Sequence, residues 1–392
     1  MRRLRLVQKA RKKNSGFKNA LGTLFSGNHS GATPDYFLVG VVLFLVAFGL
    51  VMLSSASSAE AFRRFDSTYY FVVRQLLRGV IPGLVLFFVL SKIDYHRWEK
   101  FTVGFFVLSL LLLITVFIPG ISADFGTSRS WISIGGLSFQ PSELVKLFTI
   151  LSFAGWFAYR GRVANADFWN GLVPFTVGLG VIALLIAIQP DTGTLGVVVL
   201  LSLTMYFVAG ARIAHLGALA VLGITALAGL VATAPYRAAR LTAFLNPEVD
   251  PTGIGYHISQ AFLAVGSGGL FGLGFGQSRQ KFAYLPEVMG DSIFAIIAEE
   301  LGFVFAVVLI ILFLLFAWRG LRVARRVEDD YAKLLAIGIV GWISFQAFLN
   351  IGAMVGILPL TGIPLPFISF GGTALVSALA AAGVLVNISK HT

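Results

Sequence analysis

Apolar residues occur along this 392-residue chain in long runs that short polar segments separate. Runs long enough to cross a lipid bilayer begin near ten positions, which are Tyr36, Gln75, Thr102, Leu144, Gly171, Thr194, Ile213, Asp291, Ala332 and Phe367. Each continues for about 17–25 residues, the length of helix that crosses a hydrocarbon core about 30 Å thick. Because lipid cannot hydrogen-bond backbone amides, each run is expected to form a helix. The pattern predicts an all-α, polytopic integral membrane protein with about ten transmembrane helices.

The composition supports a membrane protein. Hydrophobic residues make up 57% of the chain and charged residues only 12%, whereas soluble domains are about 45–50% apolar and about 25% charged. The chain has no cysteine, so disulfides and thiol chemistry are excluded. Its net charge is +12, but the basic residues concentrate in the N-terminal tail and beside the apolar runs, where anionic headgroups favour them. We therefore predict contact with membrane lipids and no nucleic-acid binding.

The basic residues also predict the orientation of the helices. An even number of spans places both termini on the same side of the membrane. Most lysines and arginines lie in segments that share a side with the N-terminal tail: residues 91–100, 159–164 and 318–326, with Arg212 and Lys390. The positive-inside rule makes this side cytoplasmic. The prediction is a basic cytoplasmic tail, residues 1–34, followed by a single transmembrane domain, residues 35–392, with both termini in the cytoplasm.

One long connection, residues 234–290, lies between predicted helices 7 and 8 on the opposite, extracytoplasmic side. A structureless loop of that length is uncommon, so a functional cap is expected. Six glycines lie between Gly266 and Gly276, but they complete no G-x-G-x-x-G motif, which excludes a dinucleotide site. Glycines allow the backbone to approach a ligand or a helix closely, and the sequence leaves both alternatives open.

Asp291, Glu299 and Glu300 lie at the start of the eighth apolar run, within "LPEVMGDSIFAIIAEELG". Asp291 either caps the helix, where the backbone dipole stabilises a carboxylate by about 0.3–1 kcal/mol, or carries chemistry. Glu299 and Glu300 lie about 12–14 Å further along the helix axis, at about 1.5 Å per residue, and cannot reach the same substrate atom. Ionisable groups within spans need partners, so we expect both glutamates to pair with buried Lys or Arg or with helix ends.

Two further outer segments are unusual. In "SRSWISIGGLSFQPSELVKL", Arg129 lies in a loop, while Glu143 and Lys146 are neighbours on one helix face. The pair either neutralises itself or faces a cavity that, with Arg129, attracts phosphate. Residues 356–372 contain three prolines and four glycines, which predicts a kinked or re-entrant segment packed against protein or water. The scattered histidines and carboxylates show no metal-ligand spacing, and G-x-S-x-G is absent.

Four strings in order resemble the SEDS family (shape, elongation, division and sporulation) over about residues 36–390: "QPSELVKL", "GYHISQAFLAVGSGGLFGLGFGQSRQKFAYLPE", "DSIFAIIAEELG" and "LPLTGIPLPFISFGG". The C-terminal sequence and the basic tail resemble the division branch, FtsW, more than the elongation branch, RodA. The resemblance implies a glycosyltransferase of the bacterial cytoplasmic (inner) membrane. It would polymerise lipid II into glycan strands at the outer face during cell division, with polyprenyl diphosphate as leaving group. The implied partners are a class B penicillin-binding protein and other division proteins.

The resemblance also assigns roles to individual residues. The essential outer carboxylate of the family corresponds to Asp291, which we predict to be catalytic. The matching motifs supply the predicted substrate-binding residues: Arg129, Glu143, Lys146, Lys281 and Glu287.

This chain departs from the family pattern around the essential carboxylate. The family usually has His-Thr before it and Phe after it, whereas Met289 and Gly290 precede Asp291 here and Ser292 follows it. Phe370 replaces a commoner Tyr before the paired glycines, which is a milder change. Because these neighbours differ from those of the family, we expect the hydrogen bonds around the Asp291 carboxylate to differ as well.

The implied reaction joins a sugar hydroxyl to an anomeric carbon that is activated by lipid diphosphate. A carboxylate within about 2.6–3.2 Å of the hydroxyl accelerates such a step about 10²–10⁴-fold by taking its proton, and Asp291 is assigned that role. Arg129 and Lys146 would neutralise the diphosphate, with room for a divalent cation, Mg²⁺ or Mn²⁺. No nucleotide cofactor is needed, because the lipid diphosphate already activates the sugar.

Two other functions compete with this interpretation. A transporter that flips lipid II or another polyprenyl-linked sugar also suits many spans with intramembrane charges. Such a carrier needs its site near the bilayer midplane, whereas the richest cluster here is predicted at the outer face. A scaffold that recruits the division machinery without catalysis is the third alternative.

Overall fold

The computed structural model describes residues 33–392 except 121, 126, 127, 136, 234, 251 and 252. The predicted basic tail, residues 1–34, lies outside the described residues apart from its last two positions. The helices in chain order are α1 (Tyr36–Ala56), α2 (Ser58–Phe65), α3 (Tyr70–Gln75), α4 (Ile81–Lys92), α5 (His96–Glu99), α6 (Thr102–Thr115), α7 (Pro141–Asn165), α8 (Val173–Ile188), α9 (Thr192–Val208), α10 (Ile213–Thr233), α11 (Pro235–Leu245), α12 (Ile254–Ser267), α13 (Ile293–Arg326), α14 (Asp330–Met354) and α15 (Gly372–Ile388). Short π-helical segments precede α4 and α8, over Leu76–Val80 and Phe168–Leu172.

The structure confirms a polytopic, mainly helical membrane fold. Each of the ten apolar runs coincides with a helix. Seven helical segments in the described part of the chain are long and apolar enough to cross a membrane: Tyr36–Ala56, Tyr70–Lys92, Phe168–Ile188, Ile213–Ala232, Ile293–Arg326, Asp330–Met354 and Gly372–His391. α6 and α9 are apolar but shorter, and α7 carries buried charges. The count of ten spans therefore stays a prediction.

The fold is not purely helical. A three-stranded antiparallel sheet lies between α6 and α7, with β1 (Ser122–Phe125) and β3 (Leu137–Phe139) on either side of β2 (Ser128–Ile134). In β2, Ser130 and Ile132 are buried while Ser133 is exposed, which is the alternation of a strand with one covered face. The sequence "SRSWISI" carries this pattern, but the prediction for this segment was a loop, so the prediction was wrong here.

α14 and α15 form the centre of the bundle. In the most apolar stretch of each helix, 67% of the residues of α14 and 78% of those of α15 are buried. In α10 the share is only 6%, so α10 lies at the periphery. α15 packs closely on α4 because small residues face it. A Cβ at Gly383, for example, would lie 2.5 Å from the carbonyl oxygen of Phe87, so only glycine permits this approach.

α13 is broken at Gly302, whose φ of 81° interrupts the helix. The glycine-rich segment 268–276 crosses the break and supplies the missing hydrogen bonds. The amides of Leu273 and Gly274 donate to the carbonyls of Glu299 and Glu300, each at 3.0 Å. The carbonyl groups at the break in α13 therefore accept hydrogen bonds from the protein itself, as is required where lipid offers no donors.

The glycines of this segment pack against the broken helix. A Cβ at Gly268 would lie 1.9 Å from the carbonyl oxygen of Ala298, and a Cβ at Gly272 would lie 2.1 Å from that of Glu300. No side chain fits at either position. Of the two alternatives for these glycines, the structure shows the close approach to a helix.

Candidate active site

Asp291 lies in the turn that leads into α13, outside the membrane-spanning helix. The helix begins at Ile293, and its N-cap position is Ser292, whose side chain makes no capping hydrogen bond. The carboxylate atom Oδ1 of Asp291 is buried and has no hydrogen-bond partner among the residues that the structure describes. The side chain therefore has an acceptor oxygen that helix capping does not use.

The backbone around Asp291 is held at three consecutive carbonyls. The amide of Phe370 donates to the carbonyl of Met289 at 2.8 Å. The hydroxyl of Ser369 donates to the carbonyl of Gly290 at 2.6 Å, and Nδ2 of Asn350 donates to that of Asp291 at 2.8 Å. The turn is thus fixed from α14 and from the segment that precedes α15.

That segment, residues 356–371, is non-helical as predicted, and α14 holds it in place. Nδ2 of Asn350 also donates to the carbonyl of Ile363 at 2.8 Å, and Nε2 of Gln346 donates to that of Pro364 at 2.8 Å. Gly362 has a φ of 71°, and a Cβ there would lie 4.0 Å from Oδ2 of Asp291. The segment therefore forms one wall beside the carboxylate.

Burial raises the pKa of the Asp291 carboxyl to about 6, although the charge of Arg240 lowers it. Arg240 reaches this region from α11, where its Nη1 atom lies 3.4 Å from the hydroxyl of Thr192. A carboxylate with this pKa is ionised at neutral pH and more basic than an ordinary aspartate. Both properties suit a general base.

Glu287 lies in the same turn with a φ of 50°, a left-handed conformation. Its carbonyl accepts hydrogen bonds from the amides of Gly290 at 2.9 Å and Ser292 at 3.2 Å. The residue as a whole is exposed, yet partial desolvation of its carboxyl and the charge of Asp291 raise its pKa. The structure thus brings this predicted substrate-binding residue next to the predicted catalytic one.

Glu143 and Lys146 form an ion pair inside the bundle. Nζ of Lys146 lies 2.8 Å from Oε1 of Glu143 and 2.7 Å from Oε1 of Gln346, and the Lys146 side chain is fully buried. Of the two alternatives for the pair, the structure shows mutual neutralisation. Gln346 connects the pair to the wall of the site, because its other side-chain atom holds Pro364.

Lys281 lies in a different cluster, at the break in α13. Its Nζ donates to Glu300 at 3.0 Å, to the hydroxyl of Ser55 at 3.1 Å and to the carbonyl of Gly276 at 2.7 Å. Glu299 accepts from the hydroxyl of Ser278 and from a backbone amide. Glu300 pairs with a buried lysine as expected, whereas the partners of Glu299 are a hydroxyl and a backbone amide rather than a Lys or Arg side chain or a helix end. Lys281 is not brought together with Asp291.

Arg129 lies in β2, and its side chain is outside the described part of the structure. Pro190 and Asp191 suit a turn by sequence, but in the structure Asp191 also connects two helices. Oδ2 of Asp191 accepts from Nε2 of Gln140 at 3.0 Å and from the hydroxyl of Ser142 at 3.2 Å, while Oδ1 caps α9 through the amide of Thr194. Asp191 thereby joins the starts of α7 and α9 beside the site.

Three residues near Asp291 were not found by reasoning from the sequence: Arg240, His257 and Asn350. Each lies on a different helix. Arg240 and Asn350 lie outside the four family strings, and His257 lies within the second string but at no recognisable spacing from Asp291. His257 is 35 positions from its partner Ser292, and Asn350 is 59 positions from Asp291. Only the packing of the helices brings them together.

The family model described as a cell cycle protein, FtsW/RodA/SpoVE, matches residues 36–392. The chain belongs to this family, which is the SEDS family of the resemblance above. It is 44% identical over 363 residues to stage V sporulation protein E of Bacillus subtilis (strain 168), covering 92% of this chain and 98% of that protein. It is 37% identical over 357 residues to a probable peptidoglycan glycosyltransferase FtsW of Geobacter sp. (strain M18), covering 91% of this chain and 97% of that protein.

Solved structures of family members share the fold. A chain of a peptidoglycan synthase complex, solved to study how polymerization and crosslinking are coordinated, superposes with a TM-score of 0.74 at 30% identity, covering 91% of this chain and 97% of that one. The rod shape determining protein RodA of Thermus thermophilus superposes with a TM-score of 0.67 at 27% identity, covering 91% and 96%. Because relatives include sporulation and FtsW proteins, assignment to the division branch stays a prediction.

Proposed function

We propose that this protein is a peptidoglycan glycosyltransferase that polymerises lipid II at the outer face of the cytoplasmic membrane, with Asp291 as general base. The observation that carries the proposal is a carboxylate with one unpartnered oxygen on a turn whose backbone is held at every residue from Met289 to Asp291. The names of the relatives, which include probable peptidoglycan glycosyltransferases, support the reaction class.

In the proposed step, Oδ1 of Asp291 accepts the proton of the acceptor sugar's 4-hydroxyl. The hydroxyl oxygen forms a bond to the anomeric carbon of the donor while the bond from that carbon to the polyprenyl diphosphate breaks. The electron pair leaves with the diphosphate, and the proton stays on Asp291 until solvent removes it. Because the hydrogen bonds to the turn hold the carboxylate in advance, little reorganisation is needed as the bond forms.

The leaving diphosphate requires positive charge near the carboxylate. Arg240 supplies one such charge, and Arg129 in β2 is a second candidate. The residues that the structure describes include no group of three or more His, Asp or Glu side chains that could hold a metal ion. A divalent cation, Mg²⁺ or Mn²⁺, is therefore proposed only as a counterion of the diphosphate, and no step depends on it.

The test is polymerisation of labelled lipid II by purified protein in detergent, with glycan length measured on a gel. Asp291→Asn is expected to lower the rate about 10²–10⁴-fold, because the amide cannot accept the proton. Glu248→Gln, which removes an exposed carboxylate from the same long connection, is the matched control and should keep the wild-type rate. A wild-type rate for Asp291→Asn would remove Asp291 as base.

The same assay separates the proposal from a flippase. Broken helices such as α7 at Gly161 and α13 at Gly302 also occur in transporters. A flippase would move labelled lipid II across proteoliposomes and form no polymer. A scaffold would do neither, whereas the proposed enzyme makes long glycan without any other protein.

A class B penicillin-binding protein is the proposed partner, in a complex that also contains other division proteins. One structural neighbour is a chain of a peptidoglycan synthase complex, which supports a crosslinking partner for this fold. Co-purification of the partner with wild type and with Asp291→Asn in equal amounts would separate assembly from catalysis. Polymerisation with and without the partner then shows whether the partner activates the enzyme.

A further inference from the structure

The departures from the family pattern at residues 289–292 place a small hydroxyl next to the catalytic carboxylate. Ser292 occupies the position where the family usually has Phe. Its hydroxyl donates to the carbonyl of Pro286 at 2.8 Å, and Nε2 of His257 lies 2.7 Å from the same oxygen. A bulky Phe could make neither of these contacts.

The geometry determines which ring nitrogen of His257 carries the proton. A serine hydroxyl has one proton, and here it points to the carbonyl of Pro286. The oxygen can therefore only accept from His257, so Nε2 is the protonated nitrogen. Burial lowers the pKa of His257 to about 4; nearby Glu287 raises it and Arg240 lowers it by smaller amounts. The imidazole is thus a neutral donor at physiological pH.

His257 is carried by a firmly packed helix. Ile258, Ala261 and Ala264 of α12 are buried against the bundle. At the start of the helix, a Cβ at Gly255 would lie 2.1 Å from the carbonyl oxygen of Pro247, so the preceding turn packs directly on the helix. The imidazole therefore approaches Ser292 from a fixed support on α12.

We propose that His257 is a positioning residue, whose Nε2–H fixes the Ser292 hydroxyl and thereby the orientation of the Asp291 carboxylate. The inference rests on the proposed function, because it concerns the same carboxylate. Asn350 holds the carbonyl of Asp291 from α14, and the His257–Ser292 pair holds the next residue from α12. Two consecutive residues of the turn are thus held from two different helices. The charged groups that face the pair are Glu287 from the turn and Arg240 from α11.

Two variants of His257 test the proposal in the lipid II assay. His257→Leu removes the donor and should lower kcat about 10–100-fold with little change in KM, because misplacing a catalytic group by about 1 Å costs about 10²-fold. His257→Gln keeps an N–H donor of similar reach and should restore most of the activity. If wild type polymerises lipid II and His257→Leu has the same kcat, the positioning role is wrong and the proposed function still stands.

The pH profile separates positioning from a general loss of structure. Ser292→Ala removes the oxygen that accepts from His257, so it should lower kcat as His257→Leu does, while the acid limb of the kcat profile stays at the wild-type pH. His257→Gln should keep the wild-type limb. If His257→Gln abolished the limb, His257 itself would be the titrating base, and the positioning role would be wrong.

A readout without activity tests the hydrogen bond even if no glycan forms. In ¹⁵N-histidine-labelled protein, His257→Gln identifies the signal of His257 among the five histidines. The expected result at pH 7 is a neutral ring protonated at Nε2. A charged ring, or a ring protonated at Nδ1, overturns the proposal. Absence of polymerisation by wild type would instead contradict the proposed function.

Discussion

Two groups of carboxylates at the start of α13 lie nine positions apart and differ in how they are satisfied. Glu300 accepts hydrogen bonds from Lys281, Ser55 and a backbone amide, and both of its oxygens have partners. Oδ1 of Asp291 has none among the described residues, although the backbone around it is held at each position. At Glu300 the side-chain oxygens have hydrogen-bond donors. At Asp291 the backbone carbonyls have donors, but the side-chain atom Oδ1 has none in the part of the chain that the structure describes.

The difference follows from what each group stabilises. A charge buried without partners is expensive, so a carboxylate that stabilises the fold must have donors around it. Glu299 and Glu300 meet this condition where α13 is broken, and their side chains hold Ser278 and Lys281, which follow the glycine-rich segment. A carboxylate that takes a proton from a substrate must instead keep a free acceptor. The two groups therefore predict opposite responses to mutation.

The largest expected effect on stability comes from Lys281→Met. Removing one member of a buried ion pair leaves Glu300 uncompensated, which typically costs about 3–5 kcal/mol in the free energy of unfolding. Thermal denaturation in detergent measures the loss, and Lys100→Met, at an exposed lysine, is the control. Adding Glu300→Gln should recover part of the stability. A Tm equal to wild type in Lys281→Met would mean that this cluster does not hold the break.

Gly302→Ala tests the break itself. The φ of 81° disfavours a residue with a Cβ by about 1–2 kcal/mol, and the added atom would lie 2.3 Å from the amide nitrogen of Gly272. A lower Tm is expected, with displacement of the glycine-rich segment. Gly223→Ala is the matched control, since a Cβ there meets nothing within 4 Å. Equal stability of the two variants would contradict the close packing at the break.

Asn350→Leu tests the backbone support of the catalytic carboxylate. The change leaves the carbonyls of Asp291 and Ile363 without their donor, and each lost hydrogen bond costs about 1 kcal/mol. Polymerisation should fall about tenfold, because the carboxylate loses its fixed position. Ser344→Ala on the same helix is the control, since that hydroxyl has no partner among the described residues. If both variants polymerised lipid II equally, the support by α14 would be unnecessary.

The last test concerns the pH dependence of kcat. Because burial raises the pKa of Asp291 from its ordinary 3.8 to about 6, the basic form disappears as the pH falls through about 6. Activity should decrease about tenfold per pH unit below that value. The same shift makes the folded state more stable when the carboxyl is protonated, and this contribution is lost as the pH rises through about 6. A polymerisation rate that is unchanged between pH 7 and pH 5 would contradict the assignment.

Much of the helical architecture is visible in single segments of the chain. The apolar runs predicted a helix at each of the ten positions where the structure has one, because lipid forces a long apolar segment to satisfy its own backbone. The need of Glu299 and Glu300 for partners also follows from their placement in an apolar run. The small sheet was missed although "SRSWISI" alternates, because the flanking serines and glycines also suit a loop.

Which carboxylate is free and which is paired was decided only by the tertiary structure. Ser55 reaches Glu300 across 245 positions and Asn350 reaches Asp291 across 59, so no local spacing reveals these partners. The chain by itself determined that it would form a bundle of apolar helices with a few costly charges, since hydrophobic length is a local property. Packing of distant helices determined the surroundings of each charge, because burial and hydrogen bonding are properties of the assembled fold.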